Sequence, residues 1–420
     1  MTQSKWWGIG GSLMIGLFVA YLDRTTLSVG LPSIAQDMGF SGERFAVTGS
    51  LALTIFLIGY ALANVLGGIF TRRFDPKPVV IWSFALWSAA TVFVGFTSSL
   101  AVLLACRLIL GIAEGVYWPQ QSRFAKAWFS PGERTKANAI IQYYGQFIAL
   151  AVGFVILTPI YHAFGWRSMF FLMGGIGLVV IVPLYIVKLK PESEAPYHTP
   201  QPQSGAANKL TFEMLGGPAF LLLLVSYVTQ GMLFWGVTLW IPLAVQSVGF
   251  TGMSQAFASA LPYLAAVLLA LPMSRISDRT GKRVLIASLG LLIPGVLMML
   301  LPMVTSGPAK LGLITVALGL YASSYTPNIW SILQSSIEPQ AVGPASGIVN
   351  GIGAGGGGTI AGFLVGLLYR STGSYMTGFV ALGALVIVGG ISLLIYGRVQ
   401  KVRLGRSSED SLMQATQQAR

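Results

Sequence analysis

Twelve long apolar stretches run through this chain of 420 residues. They lie near 9–31, 46–70, 78–97, 100–122, 137–161 and 168–187, then 218–242, 256–275, 284–304, 310–333, 343–369 and 375–397. About 20 apolar residues are enough to cross the hydrocarbon of a bilayer as a helix. In lipid a helix satisfies its own backbone polar groups, so such a pattern leaves little else to fold into. The expected fold class is an all-α membrane protein of twelve transmembrane helices. Charge agrees: Asp, Glu, Lys and Arg make up 9% of the chain, against roughly 25% in a soluble domain. The first stretch lacks a short apolar core ending in a small-residue cleavage site, so it reads as a span and not as a cleaved signal.

The stretches fall into two sets of six. Residues 188–217 between them hold Pro191, Pro196, Pro200 and Pro202 among Gln, Ser and Gly, which is linker composition. The expected plan is a six-helix bundle at 1–187, a flexible cytoplasmic linker at 188–217, a second bundle at 218–397 and a disordered polar tail at 398–420. With the N-terminus inside, 20 of the 26 Lys and Arg fall in inside segments and four outside, while Arg24 and Arg107 lie within spans. That bias places both termini in the cytoplasm of a plasma membrane, or of an inner membrane if the source is bacterial. It also accounts for the net charge of +13 without a nucleic-acid partner.

The halves read as repeats. Ala137-Asn138-Ala139-Ile140-Ile141-Gln142 opens the fifth span, as Ala345-Ser346-Gly347-Ile348-Val349-Asn350 opens the eleventh. The same offset sets Gly165 on Gly373 and Phe171 on Phe379. Two six-helix halves around a midplane site form a common secondary-transporter architecture.

Ionised groups at bilayer depth cost several kcal/mol unless they meet a partner or a wet cavity, so they mark function. Asp23 and Arg24 are neighbours on the first span and point about 100° apart, so they seek partners on other helices. Arg107 and Glu114, seven apart on the fourth span, share a face about 10 Å apart along the axis. Counting from the span ends puts Asp23, Arg24 and Arg107 at one depth, meeting across a cavity, with Glu114 deeper. Two arginines can grip a carboxylate by forked hydrogen bonds, and two acids can take up protons. Further cavity candidates are Tyr60, Asn64, Trp118, Gln142, Tyr143, Gln146, Tyr325, Trp330 and Asn350. For the aromatic ones a place at the membrane interface is an equal alternative, whereas Gln146 and Asn350 are amides deep in spans that need hydrogen-bond partners.

Other chemistries find no support. One cysteine, Cys106, and two histidines, His162 and His198, offer neither a disulfide nor metal-ligand spacing. Gly351-Ile352-Gly353-Ala354-Gly355-Gly356 matches GxGxxG but follows no strand, so it reads as close helix packing and not a nucleotide site. No cofactor, metal or enzyme activity is expected.

The motifs carry a resemblance. Tyr21-x-Asp23-Arg24-x-x-Leu27, Arg107-x-x-x-Gly111-x-x-Glu114-Gly115, Gly145-Gln146-Phe147 and Asn350 are similar to the major facilitator superfamily, within it to the anion:cation symporters of sugar acids and other organic carboxylates. The resemblance covers nearly the whole chain. It implies proton coupling at Asp23 and Glu114, and an anion site lined by Arg24, Arg107, Gln146 and Asn350. It implies gating by the cytoplasmic loops, at Arg73 in the first repeat and Asp278-Arg279 in the second. The loop signature is clean at Asp278-Arg279-Thr280-Gly281-Lys282-Arg283. In the first repeat Arg72 stands where the acid belongs and Asp75 where glycine belongs.

The expectation is a monomeric importer of a small organic anion, driven by protons in preference to sodium. The alternatives are a proton-driven exporter of a drug or metabolite, against which the paired arginines argue for cationic substrates, and a non-transporting membrane receptor.

Overall fold

A computed structural model describes residues 5–40, 43–198 and 210–418, with side chains described for most of them. Six long helices precede the linker: α1 (5–37), α2 Glu43–Phe70, α3 Pro76–Phe96, α4 Leu100–Trp128, α5 (134–164) and α6 (166–188). Six follow: α7 Pro218–Ser247, α8 Gly252–Thr280, α9 Arg283–Met299, α10 (307–336), α11 (342–372) and α12 Tyr375–Gln418. Ten stretches among the described residues are long and apolar enough to cross a membrane, and they reach every helix except α10 and, but for its last six residues, α5. Those two carry the buried amides Asn138, Gln142, Gln146, Asn328 and Gln334.

The repeat inferred from sequence has a backbone signature. Gly165 (φ 75°) and Gly373 (φ 69°) both turn the chain in the left-handed region, between the fifth and sixth helices of each half. A side chain at that φ meets its own backbone, so glycine is the residue that makes the corner without strain.

Each half has its own apolar interior. Phe84, Trp87, Tyr117 and Tyr185 pack among α3, α4 and α6 in the first. Leu233, Val237, Leu291, Trp330 and Phe379 pack in the second, joined by Tyr143, Phe147 and Ala151 of α5. The halves meet closely along α2 and α11. A Cβ on Gly347 would stand 2.0 Å from the Asn64 carbonyl oxygen, and one on Gly351 2.6 Å from that of Ala61. The glycine-rich run of α11 is therefore a contact surface, as small residues four apart are in membrane bundles.

Two sequence expectations change. The tail is not disordered along its length: the α12 backbone is helical through Gln418. Residues 398–418 contain no proline, and the span has already met the cost of helix nucleation, so the helix propagates past the last apolar residue. The linker is also not uniformly flexible. Tyr197 N–H donates to the Ala127 carbonyl (3.0 Å), Glu192 N–H donates to Asp75 Oδ2 (2.7 Å), and the Glu192 carboxylate pairs with Arg123. Pro200, Pro202 and the linker from 199 to 209 lie outside the described residues.

Candidate functional site

The spans' charges are settled within the first half. Arg24 of α1 donates from Nε to both oxygens of Glu114 on α4, at 2.9 and 3.0 Å. Glu114 is 1% exposed, so this is a buried ion pair. The expectation that Asp23, Arg24 and Arg107 meet at one level, with Glu114 alone below, is corrected: the long Arg24 side chain reaches the deeper acid. Asp23 points elsewhere, as neighbouring helix positions must. Its Oδ2 accepts from Thr91 Oγ1 (2.7 Å) and Trp87 Nε1 (3.2 Å) of α3, inside the first bundle. Among the described residues no carboxylate is within salt-bridge distance of Arg107, whose guanidinium lies 4.7 Å over the Phe56 ring.

Arg24 keeps a free fork. Its Nη1 and Nη2 are buried without a hydrogen-bond partner among the described residues, as is Nε of Arg107. Aromatic faces surround the Arg24 guanidinium: Tyr21 at 4.3 Å, Tyr60 at 5.3 Å, Phe56 at 5.4 Å and, from the other half, Trp235 at 5.8 Å. Rings attract a cation through their negative faces without filling its N–H donors. The fork is thus held in place with donors to spare.

Asn350 ties the halves together above α2. Its Nδ2 donates to Tyr60 Oη (2.6 Å) and Asn64 Oδ1 (2.9 Å), and its Oδ1 accepts from Tyr227 Oη (3.2 Å). Tyr143 accepts from Trp330 Nε1 across the same seam. Gln142 donates to Asn138 Oδ1 (2.8 Å), and among the described residues its own Oε1, Gln146 Oε1 and Trp118 Nε1 are buried without a partner. Tyr325 bonds Ser226 within the second half (3.1 Å).

Several residues near this centre escaped the sequence reading. Tyr21 lies one turn from Arg24 on the same face, a spacing that signals contact. Gln230 donates to Tyr321 Oη (2.7 Å), and its Oε1 has no partner among the described residues. As an amide deep in α7 it carried the same signal as Gln146. Trp235 and Phe56 gave no signal apart from other apolar residues.

The Major Facilitator Superfamily family model matches residues 13–362. The chain belongs to the Major Facilitator Superfamily. It is an integral multi-pass membrane protein and a transporter, not an enzyme. A probable sulfoacetate transporter of Cupriavidus necator is 28% identical over 402 residues, covering 91% of this chain and 92% of that protein. A D-galactonate transporter of Escherichia coli is 26% identical over 425 residues, covering 93% and 95%. The crystal structure of the human organic anion transporter MFSD10 has the same fold, with a TM-score of 0.71 at 17% identity, over 92% of this chain and 99% of that one.

The superfamily loops sit at the basic end of the bundle and differ between repeats. Asp278 reaches across to the first turn of α5, accepting from the backbone N–H of Thr135 (3.3 Å) and Lys136 (3.0 Å). Such N–H groups have no partner within their own helix and favour an anion. Arg283 holds Asp278 Oδ1 at 2.9 Å and donates to Thr135 Oγ1 (3.0 Å). In the first repeat Asp75 does something else: it caps α3 through Lys77 N–H (2.8 Å) and takes the Glu192 N–H of the linker. Contact to the other half comes from Lys126, whose Nζ donates to the Ile337 carbonyl (3.0 Å). Arg73 and Arg279, expected at the gates, are exposed. Arg123, Lys126 and Arg283 take the bonded positions, because the side chains that cross a seam depend on helix packing and not on loop sequence.

Proposed function

We propose that this transporter imports a small organic carboxylate with a proton, by rocking two six-helix halves around the Arg24 site, with the basic end and both termini in the cytoplasm. The observation that carries the reading is the unfilled fork of Arg24. One edge of the guanidinium is neutralised by Glu114, while Nη1 and Nη2 face no partner among the described residues. A carboxylate matches such a fork in charge and spacing. Sulfoacetate and D-galactonate, named for the relatives, both carry one. Arg107 adds a second cation over the shared Phe56 ring, and Gln142, Gln146 and Gln230 have acceptors open to hydroxyls of the substrate.

Coupling follows from competition. An arriving anion and Glu114 compete for Arg24, so binding favours protonation of the acid, and by reciprocity protonation favours binding. Asp23 is the second proton-linked acid, held apart by Thr91 and Trp87. The test is uptake of sulfoacetate, D-galactonate and an aromatic carboxylate into proteoliposomes, with and without an inward proton gradient. Gradient-driven accumulation of at least one is expected. Accumulation that follows sodium, or none above empty liposomes, rejects the symport reading.

A further inference from the structure

The two halves are latched by asparagines that each stand just before a π-helical turn, although in the repeat Asn138 falls on Ser346 and Asn350 on Gln142. Asn138 is the last residue before a π-helical turn, Ala139–Tyr144, in α5. Asn350 is the last residue before a π-helical turn, Gly351–Gly356, in α11. Each bonds into the opposite half. Asn138 Nδ2 donates to Gln334 Oε1 (3.0 Å) and Ser331 Oγ (3.1 Å), and Gln334 Nε2 donates back to Asn138 Oδ1 (3.0 Å) and to Ser122 Oγ (2.9 Å). Asn350 donates to Tyr60 and Asn64. Asn138, Gln334 and Ser122 are 0% exposed and Asn350 2%. No charged group takes part in the α5 latch, which is a two-way amide pair.

A π turn inserts extra backbone into the i→i−4 ladder, and single π turns recur at functional sites. We propose that α5 and α11 are hinged at these turns, and that each asparagine is the latch whose release lets the segment below it swing from the opposite half. The segments concerned are 134–138 and 342–350. The first also holds the Asp278 contacts, and the second holds Gly343 against Gly68 and Gly347 against Asn64. Gln142 lies inside the α5 hinge, donates to Asn138 and keeps one acceptor open. It is thereby the positioning residue through which the site touches the latch. The proposal rests on rocking of the halves and not on the identity of the substrate or coupling ion, so failed anion uptake leaves it standing.

The test uses the full chain in lipid nanodiscs with Cys106→Ala and spin labels at Gly132 and Lys282, both exposed, which flank the seam at the basic end. Double electron–electron resonance reads the ratio of open to closed forms. Asn138→Ala strands buried amide groups of the closed form and is expected to raise that ratio about tenfold. Gln334→Ala should do the same, and the double variant should add little, because the two amides bond each other. Deleting Ile140 removes the extra residue of the π turn, and should hold the pair closed even with Asn138→Ala present. Deleting Ile352, 45% exposed, is the matching variant for α11, with labels at Arg73 and Glu338. An unchanged distance distribution in Asn138→Ala overturns the latch. Deletion proteins that fold and open as readily as their parents overturn the hinge.

Discussion

Arg24 and Glu114 form a buried pair in which both carboxylate oxygens accept from a single Nε, leaving the two terminal nitrogens of the guanidinium without a partner among the described residues. Forked ion pairing would use those terminal nitrogens. Here they are reserved, and the pair is half a salt bridge and half a binding site.

Arg24→Lys keeps the charge and loses the fork. An ammonium can hold Glu114 or a substrate carboxylate, but not both in the same geometry. Substrate affinity measured by counterflow should fall by at least tenfold, while the thermal unfolding temperature changes little. Arg107→Lys should weaken binding as well, with the loss of its stacking on Phe56. Wild-type affinity in either variant would remove that arginine from the site.

Glu114→Gln stands for the protonated acid. It should abolish uptake driven by a proton gradient and leave substrate exchange at symmetrical pH measurable. Asp23→Asn should also abolish driven uptake. Accumulation by both variants in response to the gradient would reject proton coupling through these acids.

The two loops should answer differently to loss of an acid. Asp278→Asn removes the charge facing the α5 N-terminus and Arg283, a charge-assisted contact worth on the order of 1–3 kcal/mol. Asp75→Asn keeps the helix cap through Lys77 N–H but turns an amide NH2 toward the Glu192 N–H, so its cost falls on the linker and not on contact between the halves. Transport rates should therefore fall several-fold in the first and little in the second, and equal losses would make Asp75 a gate residue.

Gly347→Val would drive a side chain into the Asn64 carbonyl, where even a Cβ stands 2.0 Å away. Overpacking of this kind costs typically about 1–3 kcal/mol, and here it falls on the closed form alone. Labelling of a cysteine placed at Ile337, buried in that form beside the Lys126 contact and outside the amide latch, should speed up at the basic end. A rate equal to that of the parent would show that the seam relaxes without opening.

Asp37 offers a pH test away from the spans. Hydrogen bonds from Trp166 Nε1 (2.9 Å) and Arg167 (2.7 Å) hold its carboxyl below the usual range. A lowered pKa in the folded state gives stability that is present above the unfolded pKa near 4 and lost as pH falls through the folded one. The pair is exposed, so the effect is under about 1 kcal/mol. Asp37→Asn should lower the unfolding temperature slightly at pH 7 and by less as pH falls below the unfolded pKa, and a difference that does not shrink in acid would assign it to packing.

Much of this protein is legible in one dimension because the bilayer reads sequence that way. Apolar length marks the spans, basic residues bias their orientation, and the repeat spacing aligned Gly165 with Gly373, where the structure places paired turns. Arg24, Arg107, Asp23 and Glu114 stood out because charge in lipid demands a reason. What the sequence could not state was who meets whom. Arg24 finds Glu114, Asp23 turns to Thr91 and Trp87, and Asn138 finds Gln334, through rotations and depths set by packing of whole helices. Asp75 and Asp278 sit in related loops, yet one clasps its own linker and the other the opposite half. Composition and periodicity act along a helix, whereas a hydrogen bond between helices depends on their mutual angle and offset, and only the tertiary structure sets those.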